Sequence, residues 1–210
     1  PEFRDENGMW LGRSGRLRTL VYNSEQFTPD QLPKSLKDLA NPIWKGKLGW
    51  APSNSSFQSH ISALRHLWGE EETKAWLLGV QANLPTVYPK NSPQVKAVDS
   101  GTLAIGWVNH YYLHKLNKAD TVAKNYSFPT TDAGNILMLS GVGVTTTSTQ
   151  SKDALRFIEW LTSEVAQQWF AQNTYEYPTC ANISTHPDVP PLVKENLAEI
   201  TQQHLSDIGP

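Results

Sequence analysis

The sequence contains a single cysteine, Cys180, in 210 residues, which excludes a disulfide within the chain and any cysteine-cluster metal site. No run approaches the ~18 apolar residues that a membrane-spanning helix requires. Charge of one sign is also missing: 18 Lys and Arg against 20 Asp and Glu leave a net charge of −2, with no basic footprint for nucleic acid. G-x-S-x-G, H-E-x-x-H and Walker sequences are absent, and the glycines of "GRSG" and "GVGV" lack the spacing of a dinucleotide fingerprint. No nucleophile–base pair stands out, which argues against an enzyme. There are no internal repeats and no low-complexity segments.

What is present alternates between strands and helices. "RTLVYN" (Arg18 to Asn23), "KLGWAP", the all-apolar "LAIGWV" (Leu103 to Val108) and "NILMLSGVGV" read as strands, the last three buried and "LAIGWV" buried on both faces. Helices are expected in "TPDQLPKSLKDLANPIWKG", with Leu32, Leu36 and Leu39 on one face, and in "SNSSFQSHISALRHLWG", capped within Ser53–Ser56 and stopped by Gly69. Others follow in "EEETKAWLLGVQANL", with Trp76, Leu77 and Val80 inward, and after Ser92, with Pro93 at the first position. "SKDALRFIEWLTSEVAQQWFAQ" reads as one amphipathic helix with Leu155, Ile158, Leu161, Val165 and Trp169 near one stripe, and the tail from Pro190 adds a last helix. Such alternation predicts an α/β fold, in which ligands bind beyond the carboxyl ends of strands.

Three polar clusters sit at such ends: Ser53–Ser56, Asn91–Ser92 and Asn109–Tyr112. "PSNSS" before a helix presents free N–H groups and hydroxyls to an anion, or caps the helix. Asn91 and Asn109 are turn formers or neutral donors to an anion. Adjacent Tyr111 and Tyr112 are core aromatics, or a pair of oxygens for a hard trivalent cation that stabilises phenolate. On a strand the two would point to opposite faces, whereas in the first turn of a helix they lie about 100° apart and can converge. His110 and His114 fit surface or supporting roles better than ligation, because Tyr-Tyr without Cys or Glu argues against zinc.

"NHYY" after a buried strand, "APSNSSFQ" upstream, "VYPKNSPQVKAVDSG" between them and "TYEYP" downstream together closely resemble the ferric-ion-binding periplasmic proteins of ABC importers. These are the transferrin-like branch of the bacterial two-lobed solute-binding proteins, and the resemblance covers nearly the whole chain. It implies a periplasmic-binding-protein-like fold of class II type, a mixed sheet flanked by helices, present here as the C-terminal lobe with part of the second. It implies Fe³⁺ bound by the phenolates of Tyr111 and Tyr112. A synergistic carbonate or phosphate would lie on Asn54, Ser55 and Ser56, with Asn91 and Asn109 hydrogen-bonded to it. Some members use a third tyrosine near the serine turn; here Phe57 is the only aromatic there, so the anion-dependent mode fits better. The same fold serving an oxyanion or a small organic solute is the alternative.

The chain opens on "PEF", which reads as a vector-derived remnant, and "RDENGMWLGRSGRLRTLVYN" reads as the middle of a longer protein. The expected division is 1–22 as remnant plus inter-lobe crossover strand and 23–140 as the C-terminal lobe with the site. Residues 141–182 would return to the largely missing N-terminal lobe, and 183–210 would form a helical tail. The resemblance further implies an ABC permease as partner and a periplasmic or extracytoplasmic location, as a lipoprotein in a Gram-positive source. The apolar stripe of residues 151–172 predicts self-association of the chain.

Overall fold

The computed structural model describes residues 3–116, 119–201 and 204–205. In chain order it contains β1 (Leu11–Asn23), β2 (Leu48–Trp50), α1 (Ser55–Trp68), α2 (Glu70–Ala82), β3 (Thr86–Val87), α3 (Asn91–Asp99) and β4 (Ile105–Asn109). There follow β5 (Ala123–Tyr126), β6 (Leu137–Val142), α4 (Ser151–Leu161), α5 (Glu164–Thr174) and β7 (Tyr177–Pro178), with short 3-10 turns between.

β1 belongs to two sets of partners. Its second half pairs antiparallel with β4, matching Arg18 to Asn109 and Leu20 to Trp107, and with β5 on its other edge. Its first half pairs instead with β6, matching Arg16 to Met138, while Ser14 and Gly15 also meet β7. The exchange of partners falls between Leu17 and Arg18. β2 lies parallel to β3 and β4, so the sheet is mixed, with order β3-β2-β4-β1-β5.

Every residue of β4 is buried, as its apolar run predicts. Gly106 permits this: a Cβ there would meet Val21 at 3.0 Å and Gln94 of α3 at 3.4 Å. Gln94 in turn accepts from the Trp107 N–H at 3.1 Å, fixing α3 against the strand. Trp107 is the centre of the larger core, with Phe57 and His60 at 4.9 Å and Trp76 at 5.6 Å between ring centroids. Burying each such side chain contributes on the order of 2–3 kcal/mol.

Several local expectations need correction. Residues 28–46 form three 3-10 turns rather than one helix, because Pro29, Pro33 and Pro42 remove backbone donors; Leu32, Leu36 and Leu39 are buried nonetheless. α3 begins at Asn91 with Lys90 in the cap position, so Ser92 lies inside the first turn and is not its cap. Residues 151–172 are two helices, parted where Ser163 caps α5 by accepting from the Ala166 N–H. The break changes the helical phase: Ile158 and Leu161 are buried, but Leu155, Val165 and Trp169 are exposed. After Pro190 the described residues show a 3-10 turn at Lys194–Asn196 and helical His204 and Leu205, with the rest of the expected tail helix outside them.

Candidate metal and anion site

β4 ends at Asn109 and the chain turns at once into a 3-10 turn, His110–Tyr112. That turn replaces strand alternation, so the two phenols share a side: their ring centroids are 4.5 Å apart and the planes differ by 30°. Tyr111 is buried and Tyr112 half-buried. Burial pushes the Tyr112 phenol up to about 12, and the Tyr111 hydroxyl adds to the rise, while Asn91 and Arg16 pull it down. Without a cation this phenol therefore keeps its proton at neutral pH. The Lys115 ammonium lies 4.7 Å and 5.1 Å from the two ring centroids.

Asn109 connects this pair to α1. Its amide nitrogen donates to Ser56 Oγ at 3.3 Å and towards Tyr111 Oη at 3.4 Å. Asn54 is the N-cap of α1, its side-chain oxygen accepting from the Ser56 N–H at 3.1 Å and the Ser56 hydroxyl at 2.6 Å. The Ser56 N–H is thus already engaged, whereas Ser55 stands exposed at the first helical position. Asn91 is fully buried; its amide makes no well-formed hydrogen bond among the described residues but lies within reach of the Tyr112 hydroxyl, whose ionised form it favours. A buried amide left so is costly, by about 1–3 kcal/mol. The structure therefore brings Tyr111, Tyr112, Asn109 and Ser56 into one connected group, with Asn54 as cap and Asn91 close enough to act on Tyr112.

Two arginines join them. Arg18 is fully buried and donates to Asn109 Oδ1 at 3.1 Å and to the Trp107 carbonyl at 3.0 Å, but its Nε is unpartnered. No carboxylate pairs with it among the described residues. Burial pushes the guanidinium down to about 9, opposed by Tyr111 and Tyr112, so it remains charged at neutral pH. Arg16, two residues earlier and hence on the same face of β1, is half-buried with its Nε unpartnered. It lines a cleft of about 340 Å³ with Ser55, Ser56, Met138 and Leu139. Sequence patterning does not single out these arginines; the available signal is "RLR" leading into a run otherwise apolar enough to be buried.

Residues 1–200 match the family of bacterial extracellular solute-binding proteins. The chain belongs to this family. The Fe(3+)-binding periplasmic protein of Serratia marcescens is 36% identical over 197 residues, covering 91% of this chain and 58% of the relative. Iron-bound HitA from Pseudomonas aeruginosa superposes with a TM-score of 0.92 at 30% identity, covering 98% of this chain and 67% of HitA. A Trichodesmium protein in complex with iron and citrate gives a TM-score of 0.82 at 27% identity, over 99% of this chain and 70% of its own. The chain spans 55–61% of the length of the curated relatives it matches. Its mixed sheet flanked by helices is the periplasmic-binding-protein-like fold of class II type.

In this solute-binding protein the two histidines beside the tyrosines differ in their surroundings. His110 accepts from the Leu17 N–H at 3.1 Å and donates to the Tyr175 carbonyl at 2.7 Å, so both ring nitrogens are engaged. Burial pushes it down to about 4, and it stays neutral. His114 stacks on Tyr175 at 4.8 Å and 9°, with its Nε2 buried and without a hydrogen-bond partner among the described residues. "TYEYP" supports rather than binds: Glu176 accepts from Ser14 at 2.9 Å and Arg13 at 3.1 Å, and the Tyr177 hydroxyl donates to the Pro190 carbonyl. Among the described residues no group of three or more His, Cys, Asp or Glu could hold a metal, and no helix is long and apolar enough to cross a membrane. The phenols are the hard donors this site offers.

Proposed function

We propose that this chain is the ion-binding lobe of a substrate-binding protein that carries ferric iron to an ABC permease, and that it is not an enzyme. Tyr111 and Tyr112 are the phenolate ligands, and Asn54, Ser55, Ser56, Asn91 and Asn109 serve the anion. One observation carries this reading: two near-parallel phenols beside a buried guanidinium that has no carboxylate partner. Two phenolates leave one positive charge on Fe³⁺, and Arg18 adds another, so a carbonate or phosphate both balances charge and fills coordination positions. With both the Ser56 N–H and the Ser56 hydroxyl proton held by Asn54, the anion's donors are Ser55, Asn91, Asn109 and the free edge of Arg16.

The partner exchange within β1 supports reading its first half as the crossover from another lobe; 23–140 is taken as the lobe that carries the site, 141–182 as returning to that other lobe and 183–210 as the tail, although residues 137–140 already pair with the crossover half. The missing ligands come from that other lobe, so this chain alone holds iron more weakly than a complete relative. The family's description and the name of the Serratia relative support an extracytoplasmic location. A second reading concerns the anion alone. The cleft of about 340 Å³ beside Arg16 exceeds what one carbonate fills, which favours an organic carboxylate such as the citrate found with the Trichodesmium protein.

The test is a visible spectrum of the chain titrated with ferric citrate, with and without bicarbonate. A phenolate-to-iron charge-transfer band is expected, weakened in Tyr111→Phe and Tyr112→Phe and abolished in the double variant. A double variant with the parental spectrum defeats the proposal, and a colourless complex favours a different solute.

A further inference from the structure

β1 and β4 pair in register as far as Arg18 and Asn109, and one more step would set Leu17 against His110. The chain does not take that step, because β4 ends at Asn109 and His110 opens the 3-10 turn that carries the two tyrosines. The side chain of His110 continues the ladder instead, its Nδ1 accepting from the Leu17 N–H at 3.1 Å. Leu17 is the last residue that β1 pairs with β6 before it takes β4 as its partner. A buried backbone donor at such a change-over needs an acceptor, and the imidazole provides it.

The other ring nitrogen reaches a second junction. Nε2 donates to the Tyr175 carbonyl at 2.7 Å. Tyr175 ends α5 with φ 59°, a left-handed conformation that residues with side chains adopt reluctantly. Two residues on, Tyr177 pairs with Gly15 in the first half of β1, and its ring lies against the His110 ring with centroids 4.6 Å apart. The two bonds fix the tautomer: Nδ1 carries no proton, because it accepts, and Nε2 carries the one it donates. His110 is buried, so water does not compete for either bond.

We propose that His110 is a positioning residue that ties the metal-binding turn to two segments at once, the first half of β1 through Leu17 and the junction of α5 with β7 through Tyr175. This rests on Tyr111 and Tyr112 being the iron ligands of the proposed function. His110 directly precedes Tyr111, so an ion that fixes the phenols also fixes the ring that holds Leu17 and Tyr175. Opening the Leu17 bond then requires moving a turn anchored by the metal. Occupancy of the site is thereby felt where β1 changes partners.

The probe is gallium(III) citrate, a hard trivalent ion that is diamagnetic and leaves the amides visible by NMR. Its binding is read from the ultraviolet difference band of metal-bound phenolate, and its effect from amide hydrogen exchange of the whole chain. Gallium is expected to slow exchange at Leu17 by about tenfold or more, while amides of α2, away from the site, keep their rates. His110→Asn keeps an acceptor at the δ position and should preserve the slowing at Leu17. His110→Gln keeps a donor at the ε position but no δ acceptor, so Leu17 should exchange within about twofold with and without gallium. The Glu176 amide nitrogen, whose chemical shift follows the hydrogen bond on the preceding carbonyl, should show the reverse: moved by gallium in His110→Gln and unmoved in His110→Asn.

A difference band with Leu17 exchange unchanged in the parent overturns the proposal alone, and that measurement decides even where a variant does not fold. Slowing shared equally by α2, or slowing at Leu17 that survives in His110→Gln, overturns it as well, because the ring is then not the link. Absence of the difference band overturns the reading of the tyrosines and the proposal with it.

Discussion

Arg18 and Asn109 face each other in register across β1 and β4, and the guanidinium donates to the amide oxygen at 3.1 Å. That contact decides which way the amide points. With its oxygen held by Arg18, Asn109 must turn its nitrogen towards Ser56 and Tyr111, presenting a donor where an anion or phenolate is expected. The buried arginine therefore acts on the site twice, by its charge and by orienting Asn109.

Replacing Arg18 by Met should remove both effects. Asn109 becomes free to flip, and the Trp107 carbonyl loses its donor. Iron loading, followed by the visible band, is expected to need at least tenfold more ferric citrate. Stability should change little, because losing two hydrogen bonds and losing an unpaired buried charge oppose each other. Arg18→Lys keeps the charge but not the fork geometry and should fall between. Arg18→Met loading iron like the parent would remove Arg18 from the account.

Asn91 should show a trade of stability for binding. Its amide is buried with at most a weak contact to the Tyr112 hydroxyl, so Asn91→Leu, of similar volume, removes a poorly satisfied group. A gain of about 1 kcal/mol is expected, which raises the melting temperature by about 2–4 °C in a chain of this size. The same change should weaken the bicarbonate dependence of iron binding. A lower melting temperature would mean that the amide already has a partner in the folded protein.

The sequence was most informative where one physical cause dominates. The all-apolar run before Asn109 made β4 legible, and the helix N-terminus at the serine turn followed from cap chemistry. The convergence of Tyr111 and Tyr112 followed from their place at a strand-to-turn junction. Less legible was what depends on tertiary contact. Arg18 is buried only because β4 and Trp107 cover it, and no local pattern announces that. The stripe across residues 151–172 failed because Ser163 restarts the helix, which periodicity alone overlooks. Proline spacing in 28–46 was the signal for turns, but the burial of Leu32, Leu36 and Leu39 satisfies either conformation.

Acid should destabilise the chain through two histidines. Burial, with the charge of Arg18 second, pushes His60 down to about 3, and burial pushes His110 down to about 4, from an ordinary 6.5. Both are depressed, so each favours folding fully above pH 6.5 and loses that contribution as pH falls towards its folded value. In that window the unfolded chain takes up protons the folded one refuses, at up to about 1.4 kcal/mol per pH unit for each group. Urea denaturation at pH 7, 6, 5 and 4.5 should show stability level at first and then falling. His60→Gln retains a donor for the Ala133 carbonyl and should shallow the slope. Stability unchanged from pH 7 to 5 would contradict the assignment of both rings as neutral and buried.

The last prediction concerns α4 and α5. Leu155, Phe157, Trp160, Val165 and Trp169 are all between 54% and 75% exposed, and Phe157 and Trp160 stack on each other at 5.8 Å with nothing above them among the described residues. Five large apolar side chains on two consecutive helices are more than the scattered exposure of an ordinary surface. We propose that in the isolated chain this face is covered by the same face of a second copy, because the two helices offer no other apolar surface of comparable extent to meet. Size-exclusion with light scattering is expected to give a dimer or larger species at micromolar concentration. Phe157→Glu with Trp160→Glu should return it to a monomer without loss of secondary structure, since both side chains are exposed in the single chain. A monomer at a few hundred micromolar for the parent would show that these residues are tolerated in water, and that the two helices need no cover.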